Sequence, residues 1–462
     1  MTGFPDNFVW GTATASYQIE GAVAEDGRGP SIWDTFAHTP GKIADGQTGD
    51  VADDHYHRYA EDIAILADLG MNAYRFSIAW PRIFPAGVGE PNPAGVDFYR
   101  RVAETCLRHG ITPFATLYHW DLPQALEDAG GWLNRDVAAR FADYAAATAE
   151  ALGDVIQHWI TLNEPWCSAF LGYASGVHAP GKTLGIRALE AAHHLLLGHG
   201  LAVNALRQTR PDSTVGITLN LYSVHRASEA ASDVEAARRM DGQQNRLFLD
   251  PVLLGTYPDD VLADADVQDW FADRKADLRL ISAPIDFLGV NYYSRHTTAG
   301  PEDGNFSDPT QVSAHPGSER ARIVDTGAPK TQMGWEIHPD GLIDVIELVQ
   351  ARAPELPVYI TENGAAYPDT VDPDGTVHDE ERRQFFQLHV DACQQAVERK
   401  LPLRGYFAWS LMDNFEWAFG YTRRFGLVYV DYATQRRVIK DSGLWFRDFL
   451  PKPVSGATTL IT

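Results

Sequence analysis

Ile156-Gln157-His158-Trp159-Ile160-Thr161-Leu162 is a short apolar, aromatic and β-branched run that stops at Asn163-Glu164-Pro165. Residues 136–152 before it and 186–207 after it carry the apolar spacing of amphipathic helices. A run this short, free of Gly and Pro and enriched in β-branched and aromatic residues, predicts a buried strand. A strand between two helical stretches predicts a βαβ unit and so a parallel sheet.

Runs of the same kind recur at 8–14, 72–78, 112–117, 215–221, 286–291, 357–361 and 405–410, with helical stretches such as 60–69 and 95–109 between them. Eight strands alternating with helices, and no Gly-rich dinucleotide fingerprint, predict the α/β class and a (β/α)8 TIM barrel in preference to a doubly wound sheet. No linker-like composition divides residues 1–462, so the expectation is a single barrel domain. Residues 297–332, rich in Pro, Gly, Ser, Asp and Thr, read as a long irregular loop after the sixth strand, and 39–49 as a similar loop after the first. Both are long βα loops, and those cover the C-terminal face of a barrel, where its sites are built. The tail, 451–462, reads as a surface strap.

Composition narrows the function. The 462 residues are 45% hydrophobic and 22% charged, the balance of a folded globular chain. A net charge of −24 repels polyanions, which argues against nucleic acid and anionic membrane surfaces as partners. Three cysteines, Cys106, Cys167 and Cys393, form no disulfide framework. The first residues lack a basic and an apolar signal region, and no run reaches the roughly 18 apolar residues of a membrane span. The expectation is a cytoplasmic protein.

The ends of the predicted strands carry polar residues in every part of the chain: Ser16 to Glu20 after the first, Arg75 on the second, Tyr118-His119-Trp120 at the third, Asn163-Glu164 at the fourth, Asn291-Tyr292-Tyr293 at the sixth, Thr361-Glu362-Asn363 at the seventh, and Trp409-Ser410 running on to Asn414-Phe415-Glu416-Trp417 at the eighth. Two glutamates at two strand ends, Glu164 and Glu362, are the pair that glycosidic bond cleavage requires: one protonates the leaving oxygen, the other attacks or activates water. Tryptophans, amides, a histidine and a carboxyl around them suit a sugar, whose C–H face stacks on flat rings while its hydroxyls pair with polar groups. Either glutamate alone reads slightly better as a cap on the helix that follows; the two together, in this aromatic setting, do not.

On these residues the chain resembles glycoside hydrolase family 1, the retaining β-glucosidase family. Phe8-Val9-Trp10-Gly11-Thr12-Ala13-Thr14-Ala15-Ser16-Tyr17-Gln18-Ile19-Glu20-Gly21 is similar to its N-terminal signature, Thr161-Leu162-Asn163-Glu164-Pro165 to its acid/base motif, and Ile360-Thr361-Glu362-Asn363-Gly364 to its nucleophile motif. Asn414-Phe415-Glu416-Trp417, Gly420-Tyr421 and Arg424-Phe425-Gly426-Leu427 are similar to its sugar-binding C-terminal region. The resemblance implies that Glu362 is the nucleophile and Glu164 the acid and then the base, with Arg75 and Tyr293 beside Glu362. It implies that Asn163 holds the 2-hydroxyl, that Gln18, His119, Trp120, Glu416 and Trp417 bind the other hydroxyls, that Trp409 stacks beneath the sugar and that Trp335 lines the aglycone side. Fucosides and galactosides are expected as side substrates, short β-glycosides such as cellobiose as the natural ones. Neither a cofactor nor a metal is implied. Glu416 stands where the family's phospho-β-glycosidases carry Ser, so an unphosphorylated sugar is expected. Thr422-Arg423-Arg424-Phe425 departs mildly from a segment that often carries Lys and Tyr, a difference that bears on fine substrate preference.

Three other readings are open to the residues. Gly176-Val177-His178-Ala179-Pro180-Gly181-Lys182-Thr183 fits the P-loop pattern of a nucleotide-binding enzyme, although Pro180 has no N–H to offer phosphate. Asp53-Asp54-His55-Tyr56-His57 and His193-His194 are candidate metal ligands, with spacings that point them apart on a helix. A non-catalytic sugar-binding barrel keeps the aromatics and amides but needs neither glutamate.

Overall fold

In a computed structural model, which describes residues 3–306, 308 and 312–450, eight parallel strands close into a barrel in chain order. They are β1 (Val9–Ala13), β2 (Ala73–Ser77), β3 (Thr112–Tyr118), β4 (His158–Asn163), β5 (Thr214–Asn220), β6 (Phe287–Asn291), β7 (Val358–Asn363) and β8 (Leu403–Trp409). The sequence-predicted runs match all eight within two residues at either end. Helices His55–Asp68, Pro93–Arg108, Asp136–Leu152, Ala188–Thr209, Gly341–Gln350 and Glu380–Glu398 pack outside, burying faces that repeat every three or four residues.

The barrel interior is graded along its axis. Near the N-terminal end, Phe114, His158, Phe287, Tyr359 and Phe407 form an aromatic plug, with Phe114 4.3 Å from His158 and 5.2 Å from Phe407 between ring centres. Above them lie hydroxyls: Thr218 donates to Thr361 at 3.2 Å, and Thr116 accepts from Arg75 at 3.2 Å. Apolar packing thus gives way to a polar floor for the C-terminal face.

Strand register breaks where the glutamates stand. The β4–β5 pairing shifts between Ile160 and Asn163, and the β6–β7 pairing between Ile360 and Glu362. A bulge re-aims the side chains that follow it. Gly364, just past Glu362, has a structural reason to be glycine: a Cβ there would lie 1.8 Å from the Trp409 carbonyl oxygen.

The long loops are more ordered than their composition suggests. Arg295–Ala299 pairs with Ser223–Arg226 and with Arg322–Ile323 as a three-stranded sheet, so residues 297–299 and 322–323 correct the expectation of an irregular segment. Backbone pairing to Ser223–Arg226, a partner far away in sequence, overrides the local composition. The first loop clasps the C-terminal region: Gln47 Oε1 accepts from the Tyr421 amide at 2.6 Å, and the Tyr421 hydroxyl donates to the Thr48 carbonyl at 2.7 Å. The predicted strap, 451–462, lies outside the described residues.

A buried charge cluster ties the loop after β7 to the segment after β8. The fully buried Lys440 ammonium lies 2.5 Å from both Asp369 and Asp413; Arg382 pairs with Asp369 at 2.8 Å and Arg424 with Asp413 at 2.6 Å. Removing one member of such a cluster strands charges in a dry interior. Lys440→Met is expected to cost about 3–5 kcal/mol, read as a lower denaturant midpoint at unchanged slope; a loss under about 1 kcal/mol would mean the cluster is solvated.

Candidate active site

Arg75 organises the polar floor. Its guanidinium, fully buried on β2, donates to Glu362 Oε1 at 2.6 Å, to the Thr361 carbonyl at 3.2 Å and to Asn163 Oδ1 at 2.6 Å. Tyr293, just past β6, donates its hydroxyl to Glu362 Oε2 at 2.7 Å. Glu362 is therefore gripped on both oxygens, by a cation and by a phenol. Burial pushes its carboxyl above the ordinary value, and Arg75, Tyr293 and Asn291 pull it back.

Glu164 has no cation of its own. Asn291 Nδ2 donates to its Oε1 at 2.6 Å, and the Cys167 thiol donates to its Oε2 at 3.0 Å. Burial, joined by the charge of Glu362, pushes Glu164 up to about 7. The two glutamates differ in the way an acid and a nucleophile must differ: one retains its proton near neutrality while the other is held by a fixed positive charge.

Asn291 joins the two halves. It also donates to Asn163 Oδ1 at 3.0 Å and accepts from the Thr361 hydroxyl at 2.8 Å. The sequence marked it as a strand-end residue without giving it a role. Its signal was its place, a lone amide closing β6. Cys167 is buried, and its proton is directed at Glu164.

The remaining expected residues gather around this pair. Gln18, in the helical turn after β1, donates to Asn414 Oδ1 and to the Phe415 carbonyl, both at 2.9 Å, which leaves its Oε1 buried without a partner. His119 Nε2 accepts from Asn163 Nδ2 at 3.0 Å, an assignment from the hydrogen-bond network that puts the proton on Nδ1, a second buried atom without a partner. Burial and Arg75 hold this imidazole far below its usual pKa, so it stays neutral. Glu416 Oε2 is a third such atom. Buried polar atoms are almost always paired, so unpaired amide, imidazole and carboxyl groups in one site are what a polyhydroxylated ligand would satisfy. Burial, with Glu362 and Glu164 nearby, pushes Glu416 up to about 8.

The aromatics form a wall. Trp417 lies 4.4 Å from Trp120 and 4.5 Å from Trp33 between ring centres, and His119 stacks between Trp409 at 6.0 Å and Trp417 at 5.9 Å. Trp120 also donates its indole N–H to the Asn163 carbonyl at 2.9 Å. Trp335 stands further out, 5.2 Å from the Tyr293 ring. Trp120, Glu164 and Trp417 all have positive φ, of 77°, 45° and 50°. For side chains of this size that backbone is disfavoured by about 1–3 kcal/mol each, strain of a kind that clusters at functional sites.

The P-loop-like segment has no phosphate cradle. The amides of His178, Gly181 and Lys182 already donate to the carbonyls of Leu171, His178 and Gly172 at 3.1, 2.8 and 2.9 Å, and Lys182 faces Glu127 at 3.5 Å. His178 instead packs on Trp33, Trp120 and Trp417, in the wall of the site. The candidate metal ligands each have separate partners: His55 with Asp62 at 2.8 Å, His57 with Asp54 at 2.6 Å, His193 with Asp277 at 3.0 Å and His194 with the Trp132 carbonyl at 2.9 Å. No helix among the described residues is long and apolar enough to cross a membrane.

A closed barrel with two differently tuned buried carboxyls under a tryptophan wall defines a glycosidase. The family described as Glycosyl hydrolase family 1 matches residues 1–453. A β-glucosidase A of Thermotoga maritima is 48% identical over 96% of this chain and 96% of its own. A bifunctional β-D-glucosidase/β-D-fucosidase of Bifidobacterium breve is 49% identical over 97% and 98%. The solved structure of a Thermotoga maritima β-glucosidase in complex with castanospermine superposes with a TM-score of 0.90 at 47% identity, covering 97% of this chain and 98% of that one. The chain belongs to glycosyl hydrolase family 1 and is a glycoside hydrolase.

Proposed function

We propose that the enzyme is a retaining β-glucosidase in which Glu362 attacks the anomeric carbon while Glu164 protonates the departing oxygen, and that it works as a single domain. The observation that carries the assignment is the unequal setting of the two carboxyls. Arg75 and Tyr293 grip Glu362 at 2.6 and 2.7 Å, whereas Glu164 has only neutral donors and is pushed up to about 7. Once the glycosyl–Glu362 ester has formed, Glu164 is the base that takes a proton from water. Neutralising Glu362 by esterification removes its charge from beside Glu164 and so lowers the Glu164 pKa, which favours the change from acid to base.

Asn163, which accepts from Arg75 and Asn291, would hold the 2-hydroxyl, with Gln18, His119, Trp120, Glu416 and Trp417 taking the others. Trp409 supports the ring, and Trp335 borders the aglycone. Substrates are short unphosphorylated β-glucosides such as cellobiose, or aryl and alkyl glucosides, and the bifunctional relative supports fucosides as side substrates. A phosphate dianion at Glu416 would meet the same dry surroundings that already resist a charge on that carboxyl. We place the enzyme in the cytoplasm, on its sparse cysteines.

The test is turnover of p-nitrophenyl β-glucoside, β-fucoside, β-galactoside, α-glucoside and 6-phospho-β-glucoside. The expected order puts the β-glucoside or β-fucoside first and the 6-phosphate and α-anomer at background. Faster turnover of the 6-phosphate would overturn the reading of Glu416, and turnover of the α-anomer would overturn the reaction class.

A further inference from the structure

Outside the active site, His225, His338 and Asp344 converge. Each offers one donor atom, and the three atoms all lie within 4.8 Å of one another; among the described residues this is the one group of three that does so. We propose that they form a binding site for a divalent ion of the zinc type, on the rim of the C-terminal face.

The geometry fits a first shell. Zinc holds imidazole nitrogen and carboxylate oxygen at about 2.0–2.2 Å, which places two tetrahedral ligand atoms roughly 3.4 Å apart. His225 Nε2 and Asp344 Oδ2 are 3.5 Å apart. Two imidazoles on one such ion have their ring centres roughly 5 Å apart; the rings of His225 and His338 are 5.5 Å apart and perpendicular. Two nitrogens and one oxygen, with the group half-buried and open to water on one side, suit a borderline ion and leave room for a water ligand.

The surroundings hold the ligands in place. Ser223 donates to Asp344 Oδ2 at 2.5 Å and so orients that carboxylate; its oxygen also lies 2.8 Å from His225 Nε2, a contact that the ion would replace. The Tyr292 hydroxyl donates to the His338 carbonyl at 2.7 Å and fixes that backbone. Arg295, 3.5 Å from His338 Nδ1, is the nearest cation, and its charge is balanced by Glu336 at 2.8 Å.

The ligands come from three separate elements: the strand Ser223–Arg226, the base of the turn 330–337, and the first turn of Gly341–Gln350. That turn carries Trp335 and is closed by the Thr331 amide donating to the Trp335 carbonyl at 2.9 Å. An ion here would staple the Trp335 turn to its two neighbours.

Calorimetric titration of the metal-free enzyme with zinc chloride tests the site, alongside Tm with and without zinc. One equivalent is expected to bind with a rise in Tm. His225→Ala and His338→Ala should each weaken binding at least tenfold, about what loss of even an outer-shell partner costs, and abolish the rise in Tm. His57→Ala and His378→Ala, which alter single-histidine carboxylate pairs elsewhere on the surface, serve as controls and should leave both unchanged. Basal hydrolysis without zinc reports that each variant is folded. No saturable binding to the wild type, or binding that survives both His225→Ala and His338→Ala, would overturn the proposal.

Discussion

Glu362→Ala is expected to reduce kcat for p-nitrophenyl β-glucoside by at least about four orders of magnitude, the scale seen when a covalent nucleophile is lost, and sodium azide is expected to restore turnover while changing the product. The carboxylate removed here is the group that Arg75 holds at 2.6 Å and Tyr293 at 2.7 Å. Truncation leaves a small anion-sized space beside a buried guanidinium that has lost its counter-ion. Azide can occupy that space without needing a base. It attacks the anomeric carbon from the side where Glu362 stood, opposite the leaving group, and Glu164 is intact to protonate the departing oxygen. The product is then the α-glucosyl azide, formed in one inverting step with no covalent enzyme. Nuclear magnetic resonance of the product decides it. A β-glucosyl azide, or a wild-type-like rate in the variant, would move the nucleophile elsewhere. Arg75→Met would separate the two functions of the cation: with Glu362 ungripped, its carboxyl rises further and the acidic limb of the pH–rate profile moves to higher pH.

The periodic features of the chain were readable from sequence because they depend on local patterns. Runs such as 156–162 and 286–291 lie within two residues of the strands they predict, and the strand-end rule brought Arg75, Asn163, Glu164, Tyr293 and Glu362 to one face. What local patterns do not encode is pairing. The register shifts before Asn163 and Glu362 depend on the neighbouring strands, and the positive φ of Trp120, Glu164 and Trp417 on packing from every side. The strand Arg295–Ala299 exists because Ser223–Arg226 lies alongside it. Convergence of His225, His338 and Asp344 is hidden for the same reason, since more than a hundred residues separate the first from the other two. Composition also misled about electrostatics. Glu416 reads as a carboxylate, yet burial pushes it up to about 8, so at neutral pH it presents a proton as well as an acceptor. The proposed exclusion of a 6-phosphate therefore rests on the dryness of the place more than on a charge at Glu416.

Glu164→Gln carries the complementary prediction. With the roles proposed above, the first chemical step in the wild type needs Glu362 ionised and Glu164 protonated. Activity in kcat/KM should therefore rise with pH through the Glu362 pKa and fall as pH passes about 7, where Glu164 loses its proton. Glutamine keeps the shape: its carbonyl can still accept from Asn291, as Oε1 does at 2.6 Å. It has no proton to titrate, so the basic limb should disappear. The cost depends on the leaving group. An alkyl glucoside, whose departing oxygen needs a proton, should lose about 10²–10⁴-fold in kcat/KM. A dinitrophenyl glucoside, whose phenolate leaves unaided, should lose little in kcat/KM. Its kcat should still fall, because the amide takes no proton from the attacking water and the glycosyl–Glu362 ester accumulates as a burst. Azide should relieve that second step, and here it attacks the ester from the opposite side and gives the β-glucosyl azide. The same reagent thus gives opposite anomers with the two variants, an outcome that requires two carboxyls on opposite faces of the sugar in distinct roles. An unchanged basic limb, or the α-anomer from Glu164→Gln, would remove Glu164 from the acid/base position.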